Sequence, residues 1–120
     1  MLKKTLVLGA SEHSWRYSSR AIERLLAAGH EVVAIGKRKG SIHQVKIQTL
    51  ADSIPAVHTV SIYLNARQQK MYYDFLVRLK PQRVIFNPGT ENPELEQQLE
   101  QSGIKTIRAC TLVMLSTGQY

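Results

Sequence analysis

At 120 residues the chain suits one domain and is too short for two ordinary ones, and 43% hydrophobic with 21% charged residues excludes a disordered tail or a fibrous repeat. The longest uninterrupted apolar tracts, residues 112–115 among them, are far below the ~18 residues of a membrane-spanning helix. Sixteen Lys and Arg against nine Asp and Glu leave a formal charge of +7, a field that favours phosphate-bearing partners.

Residues 1–10 read as a strand and not as a signal peptide, because Ser11, Glu12 and His13 interrupt the apolar stretch early. Thr5–Leu8 is a short apolar run ending at Gly9, the pattern of a strand buried on both faces of a parallel sheet. Ser18 or Ser19 is the expected N-cap of a helix with Ala21, Ile22, Leu25 and Leu26 on its apolar face and Gly29 at its end. Residues 31–35 form the second strand and stop at Gly36, after which Lys37, Arg38, Lys39 and Gly40 make a basic turn. Residues 45–47 read as a short edge strand, and residues 53–55 carry no clear pattern.

Residues 59–64 are the next strand, and Asn65 caps a helix that places Met71, Tyr72, Phe75, Leu76 and Leu79 on one face before Pro81. Arg83–Phe86 is a further strand. Asn92 followed by Pro93 starts a helix with Leu95 and Leu99 buried, Gly103 closes it, and residues 105–109 form the last strand. This alternation predicts a single α/β domain over residues 1–120, an open, Rossmann-like parallel sheet of about five strands with helices on both faces. Ligands of such sheets bind outside the carboxyl ends of the strands, which directs attention to the loops after Leu8, Ile35, Leu64 and Phe86.

The first of these loops joins a strand to a helix N-terminus, where free backbone N–H groups and the helix dipole favour a phosphate. The dinucleotide fingerprint G-x-G-x-x-G is absent, since Ser11 and Ser14 occupy its second and third glycine positions. The end of the second strand carries Gly36, Lys37, Arg38 and Lys39 where an acidic residue would receive ribose hydroxyls. Cations there imply a further ribose phosphate, which leaves two ligands: NADP, with a 2′-phosphate, and coenzyme A, with a 3′-phosphate.

Gly9-Ala10-Ser11, Arg16-Tyr17-Ser18, Ala21, Gly29-His30-Glu31-Val32, Ile42, Tyr63-Leu64-Asn65 and residues 86–91 together resemble the small bacterial CoA-binding proteins. These are single-domain, Rossmann-like relatives of the CoA-binding domain of the succinyl-CoA synthetase alpha subunit. The resemblance implies that Gly9, Ala10 and Ser11, with Arg16 and Ser18, hold the diphosphate of coenzyme A or an acyl-CoA. It assigns Lys37, Arg38 and Lys39 to the 3′-phosphate and adenosine, counts Gly36 before them among the binding residues, and gives Asn65, Asn87, Pro88 and Gly89 to the wall where pantetheine leaves. The chain departs from the family at Ser14, where many relatives carry proline. Trp15, which follows it, is expected to pack on its own domain, with adenine stacking as the alternative.

Cys110 is the lone cysteine, so no internal disulfide forms, and the scattered His13, His30, His43 and His58 give no metal-ligand spacing. A reducing cytoplasm is the expected location. A buried structural role is expected for Cys110, with a mixed disulfide to the CoA thiol as the alternative. No nucleophile and base pair stands out, so a non-catalytic carrier, sensor or detached partner module is favoured over an NADP-dependent oxidoreductase. Cations scattered over Lys3, Arg20, Arg24, Lys46, Arg67, Lys70, Arg78 and Arg108 argue against a nucleic-acid groove. A protein partner or homo-oligomer is left open, with Tyr73 as a candidate contact.

Overall fold

The computed structural model describes residues 2–50 and 53–120; residues 1, 51 and 52 of the expected 1–120 domain lie outside them. The strands β1 (Thr5–Leu8), β2 (Val32–Ile35), β3 (Gly40–Ile42), β4 (Val45–Gln48), β5 (Thr59–Ile62), β6 (Arg83–Phe86) and β7 (Lys105–Arg108) form one sheet. Their order is β3-β4-β2-β1-β5-β6-β7. All pairs are parallel except β3 with β4 at the edge. The helices are α1 (Tyr17–Ala27), α2 (Ala66–Gln69), α3 (Tyr73–Leu79), α4 (Pro93–Gln101) and α5 (Thr111–Ser116).

Strand alternation sends Leu6, Leu8, Val60, Ile62, Val84 and Phe86 to one face, where they meet Tyr72, Leu76, Leu95 and Leu99. Val7, Ala34 and Ile47 point the other way, onto Ile22 and Leu25 of α1, with Leu115 of α5 alongside. Helices thus cover both faces, as expected. Each fully buried leucine, isoleucine or phenylalanine here contributes about 1.5–3 kcal/mol.

The sheet has seven strands where the sequence predicts about five. The additional edge arises at His43 and Gln44, whose φ angles of 49° and 68° reverse the chain and let Gly40–Ile42 pair with residues 45–47. Turns of this kind are announced by asparagine and glycine, and here neither is present. Strand ends also differ: β2 begins at Val32, β5 stops at Ile62 and β7 at Arg108.

Arg16, and neither Ser18 nor Ser19, stands at the N-cap of α1, without a side-chain cap bond. Ser19 is buried and its hydroxyl donates to the carbonyls of Ser11 and His13 at 3.0 and 2.8 Å, so it ties down the preceding loop. Leu26 is partly exposed. Asn65 does cap the second helical segment, in a reciprocal box with Gln68. That segment then breaks into α2, a 3-10 turn over Lys70–Tyr72, and α3, which leaves Met71 in solvent. Asn92 and Pro93 start α4 as predicted, the Asn92 side chain accepting the Leu95 N–H.

Candidate functional site

The chain runs from β1 to β2 on one side and returns to β5 on the other, so the strand order reverses between β1 and β5. In parallel sheets that reversal opens a crevice at the carboxyl ends, because the two flanking connections diverge to opposite faces. A cleft of about 530 Å³ lies there, bounded by the loops after β1, β2, β5 and β6.

One wall starts at Gly9, whose φ of +98° lies in the left-handed region. A Cβ on it would stand 2.9 Å from Leu64 Cδ2, so glycine lets the ends of β1 and β5 meet closely. The Gly9 and Ala10 amides both donate to the Ile35 carbonyl, at 2.8 and 2.9 Å, which locks the loop to the end of β2. Ala10, Ser11, Glu12 and His13 follow along the cleft, and Arg16, Tyr17 and Ser18 bring in the start of α1. That first turn carries no acidic residue, which leaves the positive end of the helix unopposed.

Lys37 and Arg38 complete this wall, exposed and facing the same space. Lys39 and Gly36, two further residues of the expected site, do not line it. Gly36 is buried, and a Cβ on it would drive into the Ala10 carbonyl oxygen and lie 3.0 Å from Ile47 Cγ2. Its place is to let the basic turn close onto the first loop. Trp15 is 63% exposed and stands outside the cleft lining, contrary to the expected packing within the domain. Its ring stacks on His13 at 5.2 Å and carries the Arg16 guanidinium 4.9 Å from its centroid.

The opposite wall holds Tyr63, Leu64, Asn65 and Gln68 after β5, and Pro88, Gly89 and Thr90 after β6. Behind it runs a buried amide network. Gln69, fully buried, donates to the carbonyls of Leu64 and Thr90, both at 2.8 Å, and its carbonyl accepts from Asn92 at 2.8 Å. Asn92 also donates to the Tyr73 hydroxyl, which in turn donates to Glu94 at 2.9 Å, so Tyr73 is engaged within the chain.

Asn87 does not line the cleft. It is buried, donates to the Ser61 hydroxyl and Ile62 carbonyl at 2.9 Å each, and accepts the Thr111 N–H at 2.8 Å. One side chain thus binds β5, β6 and the start of α5. The Thr90 hydroxyl donates to the Asn87 carbonyl at 2.7 Å, and Glu91 accepts the Gly89 N–H at 3.0 Å, which shapes the loop. Burial pushes the Tyr63 phenol up to about 12, and its hydroxyl sits near Ser61 and Thr111 without a completed hydrogen bond.

The other groups singled out in the sequence lie elsewhere. Half-buried Cys110 precedes α5 and is not a lining residue. His30 accepts the Lys3 backbone N–H at 2.9 Å; burial first, then the charges of Lys3 and Arg83, hold its pKa below the ordinary value. Burial, Arg83 and Lys3 depress His58 likewise. His43 forms the edge turn. Among the described residues no helix is long and apolar enough to cross a membrane, and no cluster of three potential ligands could hold a metal ion.

Sequence reasoning missed Glu12, His13, Tyr17, Ile47, Tyr63, Leu64, Gln68 and Thr90 as lining residues and Gln69 as the network's centre. Thr90 and Glu12 adjoin predicted loop residues and were within reach of that signal. Gln69 was not, since a polar helical residue normally faces water.

A search of solved structures finds the same fold in proteins of varied length. One crystal structure, described only as an uncharacterized protein, is 46% identical, with a TM-score of 0.96 over 100% of this chain and 99% of its own. The cell-free ID.343 protein of Thermus thermophilus is 20% identical, with a TM-score of 0.82 over 98% of this chain and 91% of that one. A dinucleotide-forming acetyl-coenzyme A synthetase of Ca. Korarchaeum cryptofilum, solved with phosphate and ADP, matches 88% of this chain with 25% of its own length, at 18% identity and a TM-score of 0.69. No protein of curated function matches in sequence. The CoA binding domain family matches residues 3–116, nearly the whole chain and every loop of the cleft, and the chain belongs to that family.

Proposed function

We propose that the chain binds coenzyme A, free or acylated, in the cleft at the strand-order reversal, as a non-catalytic carrier, sensor or detached partner module of the cytoplasm. The observation that carries this reading is the meeting of the first loop, the α1 N-terminus, Arg16 and the Lys37 and Arg38 pair in one cleft. The positive end of α1 suits a diphosphate, and Arg16 and Ser18 stand beside it. Lys37 and Arg38 suit the 3′-phosphate, with Lys39 adding to the field from the same turn. Asn65, Pro88, Gly89 and Thr90 offer the polar, narrow wall along which pantetheine leaves. Gly36 and Asn87 serve this site by holding its backbone rather than by touching ligand.

Thermal shift with coenzyme A, dephospho-CoA, NADP and NAD tests the proposal. At about 100 times its dissociation constant a ligand adds roughly 2.7 kcal/mol to stability. The expected result is a clear rise with coenzyme A that shrinks with dephospho-CoA. A rise with NADP alone overturns the ligand assignment and returns an oxidoreductase module to the front.

A further inference from the structure

We infer that Glu12 is a specificity-determining residue of the cleft, a carboxylate that takes a free ribose hydroxyl and turns away a phosphate at the same ribose position. Three observations meet at this residue. The end of β2, where sheets of this architecture place the acid that receives ribose hydroxyls, carries Gly36 and Lys37 instead. Glu12 arrives there from the other loop: its Oε2 lies 3.4 Å from the Ser41 backbone nitrogen, at the start of β3. Gly40 pairs with Ile47, and Ile47 with Ala34, so the carboxylate stands over the carboxyl end of the strands next to β2. Finally, Gly40 makes the seat, because a Cβ on it would stand 2.5 Å from Glu12 Oε2 and 2.7 Å from its Cγ.

Glu12 shares the cleft with Lys37 and Arg38, so one wall presents a hydroxyl acceptor and two phosphate partners together. That combination fits a ribose bearing one phosphate and one free hydroxyl. The inference rests on the coenzyme A reading, in which the free hydroxyl is at the 2′ position. It follows that Glu12 rejects 2′-phosphates by like-charge repulsion, and so separates coenzyme A from NADP within a cleft whose other charges attract both.

Calorimetric titration with adenosine 3′,5′-bisphosphate and adenosine 2′,5′-bisphosphate tests this, since the two carry equal charge and differ only in the position of one phosphate. The native chain is expected to favour the 3′ isomer at least tenfold. Glu12→Gln, and Gly40→Ala, which displaces the carboxylate while keeping its charge, are each expected to narrow that ratio to within threefold. A preference unchanged in both variants, or an equal weakening of both isomers by Glu12→Gln, reduces Glu12 to a loop tether and overturns the inference. Coenzyme A is titrated alongside: its binding with an unchanged isomer ratio sinks this inference alone, whereas its failure to bind the native chain sinks the underlying reading as well.

Discussion

The wall of the cleft built from residues 9–18 with Lys37 and Arg38 presents exposed charge and is joined by backbone contacts, such as the Gly9 and Ala10 amides on the Ile35 carbonyl. The facing wall, from Leu64 to Gln69 and from Asn87 to Asn92, is anchored by buried amide side chains whose donors and acceptors are matched to backbone groups and to neighbouring buried side chains. Exposed cations stay hydrated until a phosphate arrives, so their cost to the fold is small and their geometry can adapt. A buried amide has no such freedom, because each lost partner carries a desolvation penalty. The cleft therefore pairs an adaptable, charged side with a rigid, neutral one.

The sharpest way to break this contrast is Asn87→Ala. It removes the acceptor of the Thr111 N–H and a donor to the Ile62 carbonyl, and leaves the Ser61 hydroxyl with the Thr111 hydroxyl alone, with an expected loss of about 3 kcal/mol in denaturant unfolding. A loss below about 1 kcal/mol would mean that the wall is not held as described. Gly36→Ala attacks the other side where a new side chain would meet backbone. The new Cβ meets the Ala10 backbone, which cannot rotate away, and the expected cost is about 2 kcal/mol with a weakened response to coenzyme A.

This contrast also explains what could be read in advance. Helix signals that are local, such as Asn92 with Pro93 or Asn65 with Gln68, need only their own few residues and were legible. The alternation of β6 continues one step past Phe86, so Asn87 turns toward Ser61 while Pro88 and Gly89 face the cleft. A loop motif read as one block conceals that switch. Glu12 meets Gly40 and Ser41 across a separation no periodicity reports. The His43 and Gln44 turn likewise depends on pairing of the strands beside it, and not on the turn residues' own preferences.

Acid provides a milder test of whether the walls stand apart from the opposite end of the sheet. His30 and His58 have folded pKa values below the ordinary 6.5, so the unfolded chain takes up protons that the folded chain resists. Stability is then complete above about pH 6.5 and falls as the pH drops below it. His30→Gln keeps an acceptor for the Lys3 N–H without titrating, and is expected to flatten the pH dependence of Tm while leaving the coenzyme A shift at pH 7.5 unchanged.

The smallest expected effect on stability belongs to Lys37→Ala combined with Arg38→Ala. Both side chains are exposed, so removing them should change unfolding stability by no more than about 0.5 kcal/mol. The same variant should lose roughly tenfold or more in affinity for coenzyme A, because a charge-assisted contact to phosphate disappears with each cation. Dephospho-CoA, lacking the 3′-phosphate, should lose far less, and the native preference should weaken with added salt as the exposed charges are screened. Equal losses for both ligands would show instead that the pair acts only through the general field. An accompanying drop in stability would show that the charged wall, like its neighbour, is part of the framework.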